Sequence, residues 1–333
     1  MTERSLLLLA GRLSAPRAGW MAEALTTDWD VRSWNEEEPF ADFARQVVQA
    51  KALVAGRLEQ PWPPVPNLKL YQLPFTGYHW IGPGDVPRGC RVCNTYEHEV
   101  PIAEYVLGAM LEREIGIHAA DRRFRDLGWD GKTVGGGSGH GELYGKTLGI
   151  VGHGHIGGEV AHRAAAFGMR TIAVSRTPRP APPPLHWLGV MADLDRLLGE
   201  SDYVLIAVPL ADETRGLIDA ARLAAMKPGG VIINVGRGQV VDEGALYTAL
   251  ADSRIGGAVI DVWYDYPDAD DPNPPPSKYP FHELDNIIMT PHFSAYTDAM
   301  RERRWTAIAA NIDRLARGET LENVCFEGTG EVL

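Results

Sequence analysis

The run Leu148-Gly149-Ile150-Val151-Gly152-His153-Gly154-His155-Ile156-Gly157-Gly158 decides the fold of this chain. It reads as a buried strand, a tight glycine turn and the start of a helix. Gly152, Gly154 and Gly157 fill the three places of a G-x-G-x-x-G fingerprint. The first allows the turn, the second lets backbone approach a pyrophosphate, and the third lets the helix pack close to the strand. The helix N-terminus, with His155 and Ile156 in its first turn, then offers N–H groups and a positive dipole end to the phosphates. Glycines recur in any turn, so the pattern alone is weak. Its context carries it: an apolar run precedes it and an amphipathic stretch over residues 159–167 follows. A dinucleotide site is expected here.

After Gly168 a second apolar strand spans residues 170–174 and ends in Ser175-Arg176-Thr177, with Arg179 close behind. NAD readers usually carry a carboxylate at this strand end, for the ribose hydroxyls, and it would repel a 2′-phosphate that Arg would welcome. Neutral Ser175 and cationic Arg176 and Arg179 set the loop for NADP(H), with NAD(H) still open. The plainer alternative is a pair of solvated arginines.

The chain has 333 residues, enough for two domains, with ordinary hydrophobic (45%) and charged (23%) content for a soluble protein. A net charge of −12 argues against a nucleic-acid or anionic-membrane partner. It leaves room for a small anionic substrate, which needs only a local cation. Cys90 and Cys93 form a lone C-x-x-C in a segment that looks extended, so their side chains point to opposite faces. They read as buried thiols in a reducing cytosol, and no metal site is expected. The leucine run at residues 6–9 is too short for a signal peptide or a spanning helix and reads as a first strand. A cytoplasmic protein is expected.

Further strands are expected at residues 5–10, 52–55, 68–73, 91–94, 203–208, 231–235, 257–262 and 287–290, and helices at 18–25, 102–118 and 298–315. Pro101 opens the second of these helices, and residues 121–141, with Gly135-Gly136-Gly137, read as a flexible arm or loop. Strand–helix alternation implies an α/β protein with parallel, doubly wound sheets. A fingerprint this far along the chain implies a separate first domain. The helix at 102–118 would cross between the two, and the last helix would cross back.

Four further runs are informative together. They are Val208-Pro209-Leu210-Ala211-Asp212-Glu213-Thr214-Arg215-Gly216-Leu217-Ile218; Ile233-Asn234-Val235-Gly236-Arg237-Gly238 with Val241-Asp242-Glu243-Gly244-Ala245-Leu246; Ile260-Asp261-Val262-Trp263; and Met289-Thr290-Pro291-His292. In this order and spacing the chain resembles the D-isomer-specific 2-hydroxyacid dehydrogenase family from Leu68 onward, most specifically over residues 145–292. The resemblance implies two Rossmann-like domains with the active site in the interdomain cleft. Residues 1–101 plus 294–333 would form the substrate domain, and 102–293 the dinucleotide domain. It implies an NAD(P)-dependent oxidoreductase acting on a small 2-oxo acid or D-2-hydroxy acid, most like glyoxylate or hydroxypyruvate reductases. It also implies a homodimer through the nucleotide domain. Pro209 and Thr214 align with the wall around the adenosine, and Asp261 with the residue that binds the nicotinamide amide. Val208, Val235, Gly236 and Ser294 align with further cofactor contacts. His155 stands where a basic residue often meets the pyrophosphate.

The chemistry also follows from the residues. Reducing a 2-oxo acid needs a cation to hold the carboxylate and polarise the ketone, and an acid to protonate the alkoxide. Arg237 follows a buried strand, at the carboxyl end where ligands bind in such sheets, and its guanidinium can grip a carboxylate with two parallel hydrogen bonds. An imidazole such as that of His292 ordinarily titrates near neutrality and can serve in both directions. In the first domain Pro74-Phe75-Thr76-Gly77-Tyr78 matches the family's glycine loop, so backbone N–H groups of Thr76, Gly77 and Tyr78 would hold the substrate carboxylate.

One departure bears on catalysis. The family pairs its histidine with a Glu that raises the imidazole pKa, and here Tyr266 occupies that position. Three arrangements are open: Tyr266 as a neutral orienter, Asp265 or Glu283 as the carboxylate partner, or weak catalysis in a dinucleotide-sensing binding protein. A formate- or phosphite-type dehydrogenase is a variant of the enzyme reading. Without the Glu, reduction should fall off at lower pH than in a Glu-paired site. His79, and Glu97-His98-Glu99, are further departures that bear on substrate choice or only on the surface.

Overall fold

Leu6 to Leu9 form an inner strand with two buried faces: Leu6 and Leu8 pack into one core, Leu7 and Leu9 into another. This is how a continuous apolar run behaves in a parallel sheet covered on both sides. The computed structural model describes residues 4–58, 63–129, 139–268 and 270–330. The chain divides into two units, Met1–Glu97 with Thr297–Leu333, and His98–Tyr296.

The first unit runs β1 (Ser5–Ala10), α1 (Ala18–Ala24), β2 (Trp29–Trp34), α2 (Phe40–Val47), β3 (Ala50–Ala55), β4 (Leu70–Gln72) and β5 (Arg91–Cys93). These strands are parallel, in the order β5-β4-β3-β1-β2. β2 escaped the sequence reading because it is an edge strand with a half-exposed middle and lacks an apolar run. Cys90 and Cys93 are unbridged and sit in the two opposite cores, and burial pushes both thiols up to about 12.

The second unit opens with α3 (Glu99–Ile115) and α4 (Ile117–Leu127). Pro101 is the third residue of α3, where no intrahelical N–H is needed. The single helix expected over 102–118 is therefore split. Gly116, at φ +66°, donates its N–H to the Glu112 carbonyl and ends α3, and α4 restarts beyond it. α4 also makes residues 121–127 helical, where a loop was expected. Gly135-Gly136-Gly137 lies outside the described residues.

The unit continues β6 (Thr147–Val151), α5 (His155–Ala166), β7 (Arg170–Ser175), β8 (Trp187–Val190), α6 (Leu194–Glu200), β9 (Tyr203–Ile206), α7 (Ala220–Ala225), β10 (Val231–Asn234), α8 (Glu243–Ala251), β11 (Gly257–Ile260) and β12 (Ile287–Met289). Among the described residues the sheet is all parallel, ordered β12-β11-β10-β9-β6-β7-β8. α3 and α5 cover one face and α6, α7 and α8 the other. Strand order reverses between β6 and β9, the switch point where such sheets take ligands. β9, β10 and β11 end one or two residues earlier than expected. Val235 and Val262 are apolar because these first loop residues are themselves buried.

The chain returns to the first unit through α9 (Asp298–Arg317), capped by Thr297, whose Oγ1 accepts the Met300 N–H at 3.0 Å. α9 lays Trp305, Ile308 and Ile312 on the Leu7–Leu9 core. β13 (Val324–Glu327) then adds antiparallel to β5. Both units are thus Rossmann-like α/β layers. No described helix is long and apolar enough to cross a membrane.

Candidate functional site

Because β6 to β12 are parallel, the loops after them share one rim of the second unit's sheet. The glycine turn lies there. Gly152 has φ +100°, and an added Cβ would meet Val208 Cγ1 at 2.7 Å; at Gly157 it would meet the Gly152 carbonyl oxygen at 2.4 Å. At Gly154, the N-cap of α5, a Cβ would meet nothing within 4 Å. The turn is closed where strand and helix must touch and open at the helix N-terminus, where His155, Ile156 and Gly157 supply first-turn N–H groups. This donor set fits a pyrophosphate.

The loop after β7 lies beside that turn. Ser175 Oγ donates to the Thr177 carbonyl at 2.9 Å, fixing its bend. Arg179 Nη2 donates to the His153 carbonyl at 2.6 Å and lies 3.0 Å from His153 Nδ1. His153 is held below the ordinary histidine range by burial and by the Arg179 and His162 charges. Arg176 is exposed and has no hydrogen bond or ion pair among the described residues. After β9, Thr214 Oγ1 accepts the Ala211 N–H at 2.8 Å and donates to the Pro209 carbonyl at 2.7 Å, stapling the Val208–Pro209 turn.

The candidate catalytic residues follow β10, β11 and β12. Asn234 ends β10 with both amide ends used: Nδ2 donates to the Arg237 carbonyl at 3.0 Å and Oδ1 accepts the Gly236 N–H at 3.1 Å. Gly236 and Gly238 are required by close approach, since added Cβ atoms would meet the Val208 oxygen at 2.7 Å and the Trp263 oxygen at 2.3 Å. Arg237 is thereby anchored by its backbone with its side chain exposed, Nη1 donating to the Gly236 carbonyl at 2.7 Å. His292 is exposed and has φ +56°, a left-handed conformation costly for a residue with a Cβ.

Asp261 holds that conformation in place. Its fully buried carboxylate accepts Thr290 Oγ1–H at 2.6 Å, the Phe293 N–H at 3.0 Å and the Ser294 N–H at 3.1 Å. Thr290 gives its one proton to the carboxylate, so Tyr105 on α3 must donate its own to Thr290, at 2.8 Å. The described hydrogen bonds of the Asp261 side chain are thus to the His292 loop, and the Ser294 N–H is spent on that carboxylate. Trp263 Nε1 donates to the Thr290 carbonyl at 2.8 Å. Tyr105, Trp263, Thr290, Asn234 and His153 were not singled out as site residues. Asn234, Trp263, Thr290 and His153 each stand inside a run quoted above, whereas Tyr105 carried no local signal.

Of the open partners for His292, the structure brings Tyr266. Its Oη lies 3.0 Å from His292 Nδ1 and accepts the Trp263 N–H, also at 3.0 Å. No hydrogen bond or ion pair joins His292 to Asp265 or Glu283. Burial lowers the His292 pKa from its ordinary value; the Asp261 charge opposes this and the Arg237 charge adds to it.

In the first unit, residues 74–78 follow β4. Thr76 Oγ1 donates to the Thr95 carbonyl at 3.0 Å, and Asn94 Nδ2 to the Thr76 carbonyl at 2.8 Å, so side chains fix this loop. Tyr78 packs on Phe326, with ring centroids 6.1 Å apart.

The sequence pattern of the D-isomer specific 2-hydroxyacid dehydrogenase NAD binding domain matches residues 107–294. The chain is 33% identical over 309 residues to the glyoxylate reductase of Pyrococcus furiosus, covering 89% of this chain and 88% of that protein. It is 36% identical over 227 residues to the D-3-phosphoglycerate dehydrogenase of Methanocaldococcus jannaschii, where the match covers 68% of this chain but 41% of that longer protein. A probable 2-hydroxyacid dehydrogenase from Rhizobium etli, solved with NADP, shares the fold with a TM-score of 0.75 at 23% identity, over 97% of this chain and 98% of that one. The chain belongs to the D-isomer specific 2-hydroxyacid dehydrogenase family of NAD(P)-dependent oxidoreductases.

Proposed function

We propose that this protein is an NADP(H)-preferring reductase of small 2-oxo acids, of the glyoxylate and hydroxypyruvate type. The observation that carries it is the pairing, on one rim, of a backbone-anchored exposed guanidinium with an exposed imidazole held in a costly conformation. Arg237 grips the substrate carboxylate and polarises the ketone. His292 gives the alkoxide oxygen a proton from Nε2. The bound nicotinamide supplies the hydride. The test is reduction of prochiral phenylpyruvate with NADPH. A D-2-hydroxy acid product is expected, and an L product contradicts the proposal.

Arg176 supports the NADP(H) preference, because it is a cation in the loop beside the glycine turn with no carboxylate paired to it among the described residues. Charge-assisted hydrogen bonds to a 2′-phosphate contribute about 1.5–3 kcal/mol, so Arg176→Ala should raise the NADPH KM about 10- to 100-fold. The NADH KM should hold, and parallel steady-state kinetics with the two cofactors check this.

A homodimer through the nucleotide unit is part of the proposal. α4 and the turn after it expose Ile117, Phe124, Leu127 and Trp129, each more than half accessible, and α4 buries no residue of its own. An apolar stripe of this kind calls for a cover, and a second copy of the chain supplies it. The double variant Phe124→Glu, Trp129→Glu should change the light-scattering mass from two chains to one.

A further inference from the structure

We propose that Tyr266 donates its phenolic proton to His292 Nδ1, holding the neutral imidazole as the Nε2–H tautomer. This is the opposite of what a carboxylate in that place would do. The inference rests on the reading of His292 as the proton donor and deepens it.

The sense of the hydrogen bond follows from counting donors. A phenol oxygen carries one proton and accepts beside it. Trp263 N–H can only donate, and it donates to Tyr266 Oη at 3.0 Å. The phenolic proton is then the group left to face His292 Nδ1, also 3.0 Å away, with the two rings tilted by 60°. If Nδ1 carried the proton instead, the phenol would accept twice and its own proton would have no acceptor among the described residues. The charged groups facing His292 are Asp261, after β11, and Arg237, after β10. They act in opposite senses on the imidazole, and the Asp261 carboxylate is already occupied by three donors.

Two consequences separate this arrangement from a Glu-paired histidine. A hydrogen bond accepted by Nδ1 exists only while the ring is neutral, so it stabilises the neutral form. A carboxylate accepting Nδ1–H stabilises the imidazolium. Second, the neutral ring presents Nε2–H outward. It can donate a hydrogen bond to a substrate oxygen, but it becomes a base there only after its proton moves to Nδ1 and the phenol turns away. During reduction the imidazolium loses its Nε2 proton to the alkoxide as hydride adds to the carbonyl carbon. The ring then returns to the Nε2–H form by proton exchange with solvent.

The test is ¹⁵N NMR on the full chain labelled at histidine, titrated through neutral pH without substrate. The His292 signal is identified by its loss in His292→Gln, and the remaining nine of the ten histidines report an intact fold. The expected result is an Nε2–H pattern for neutral His292 and, in Tyr266→Phe, a rise of its pKa by a few tenths to one unit, the size of one net hydrogen bond. Tyr266→Glu should raise it further and invert the tautomer to Nδ1–H. An Nδ1–H ring in the native protein, or a pKa that falls or stays unmoved in Tyr266→Phe, would overturn the proposal. The spectra need no turnover, so a native protein that shows this pattern but reduces no 2-oxo acid would sink the functional reading and leave this one standing.

Discussion

His292→Ala should lower kcat for 2-oxo acid reduction about 10²- to 10⁴-fold, the usual worth of a positioned general acid, or roughly 3–5 kcal/mol of barrier. Cofactor binding should survive, because the glycine turn and the loop after β7 do not depend on the imidazole. Steady-state rates beside fluorescence titration of NADPH check both halves. The pH dependence follows from the same group. Reduction consumes the protonated imidazole, and burial together with Arg237 holds the His292 pKa below its ordinary value. The rate should therefore fall as pH rises through that lowered value, on the acid side of a Glu-paired enzyme. A reduction profile flat to about pH 9 would contradict this assignment.

Arg237→Ala should reduce kcat/KM about 10²- to 10⁴-fold, the loss of two charge-assisted hydrogen bonds to the substrate carboxylate at about 1.5–3 kcal/mol each. Both constants should worsen, KM through the carboxylate and kcat through the ketone. Arg237→Lys should recover only part, because an ammonium keeps the charge and loses the fork. A second signature separates this loss from a damaged loop. Arg237 depresses the His292 pKa, so its removal should move the falling limb of the pH profile upward. The loop is held through the Arg237 backbone by Asn234, which the substitution leaves in place.

The glycine turn and the strand-end residues were legible in the sequence because their constraints are local. Gly152 and Gly157 are fixed by a turn and a close approach, and each stands beside the apolar run that explains it. Arg237 and His292 were legible for the same reason, each three residues past the end of a sheet strand. The split of α3 from α4 was not, because Gly116 sits in an otherwise helical pattern and only its positive φ makes it a terminus. β2 and β13 are edge strands, and their alternation is diluted by exposed positions. The support of the site was least legible. Tyr105, Trp263 and Thr290 come from three segments far apart in sequence, and their hydrogen bonds exist only after folding. Tyr266 could be seen to replace a Glu, but whether it, Asp265 or Glu283 met the imidazole required the coordinates.

The most direct measurement is the loss of NADPH or NADH absorbance with glyoxylate, hydroxypyruvate, pyruvate and phenylpyruvate, with His292→Ala as control. Turnover with at least one acid is expected, faster with NADPH and lost in the control. No turnover on any acid with tight cofactor binding intact would contradict the proposed function and point to a dinucleotide sensor, and faster turnover with NADH would overturn the role given to Arg176.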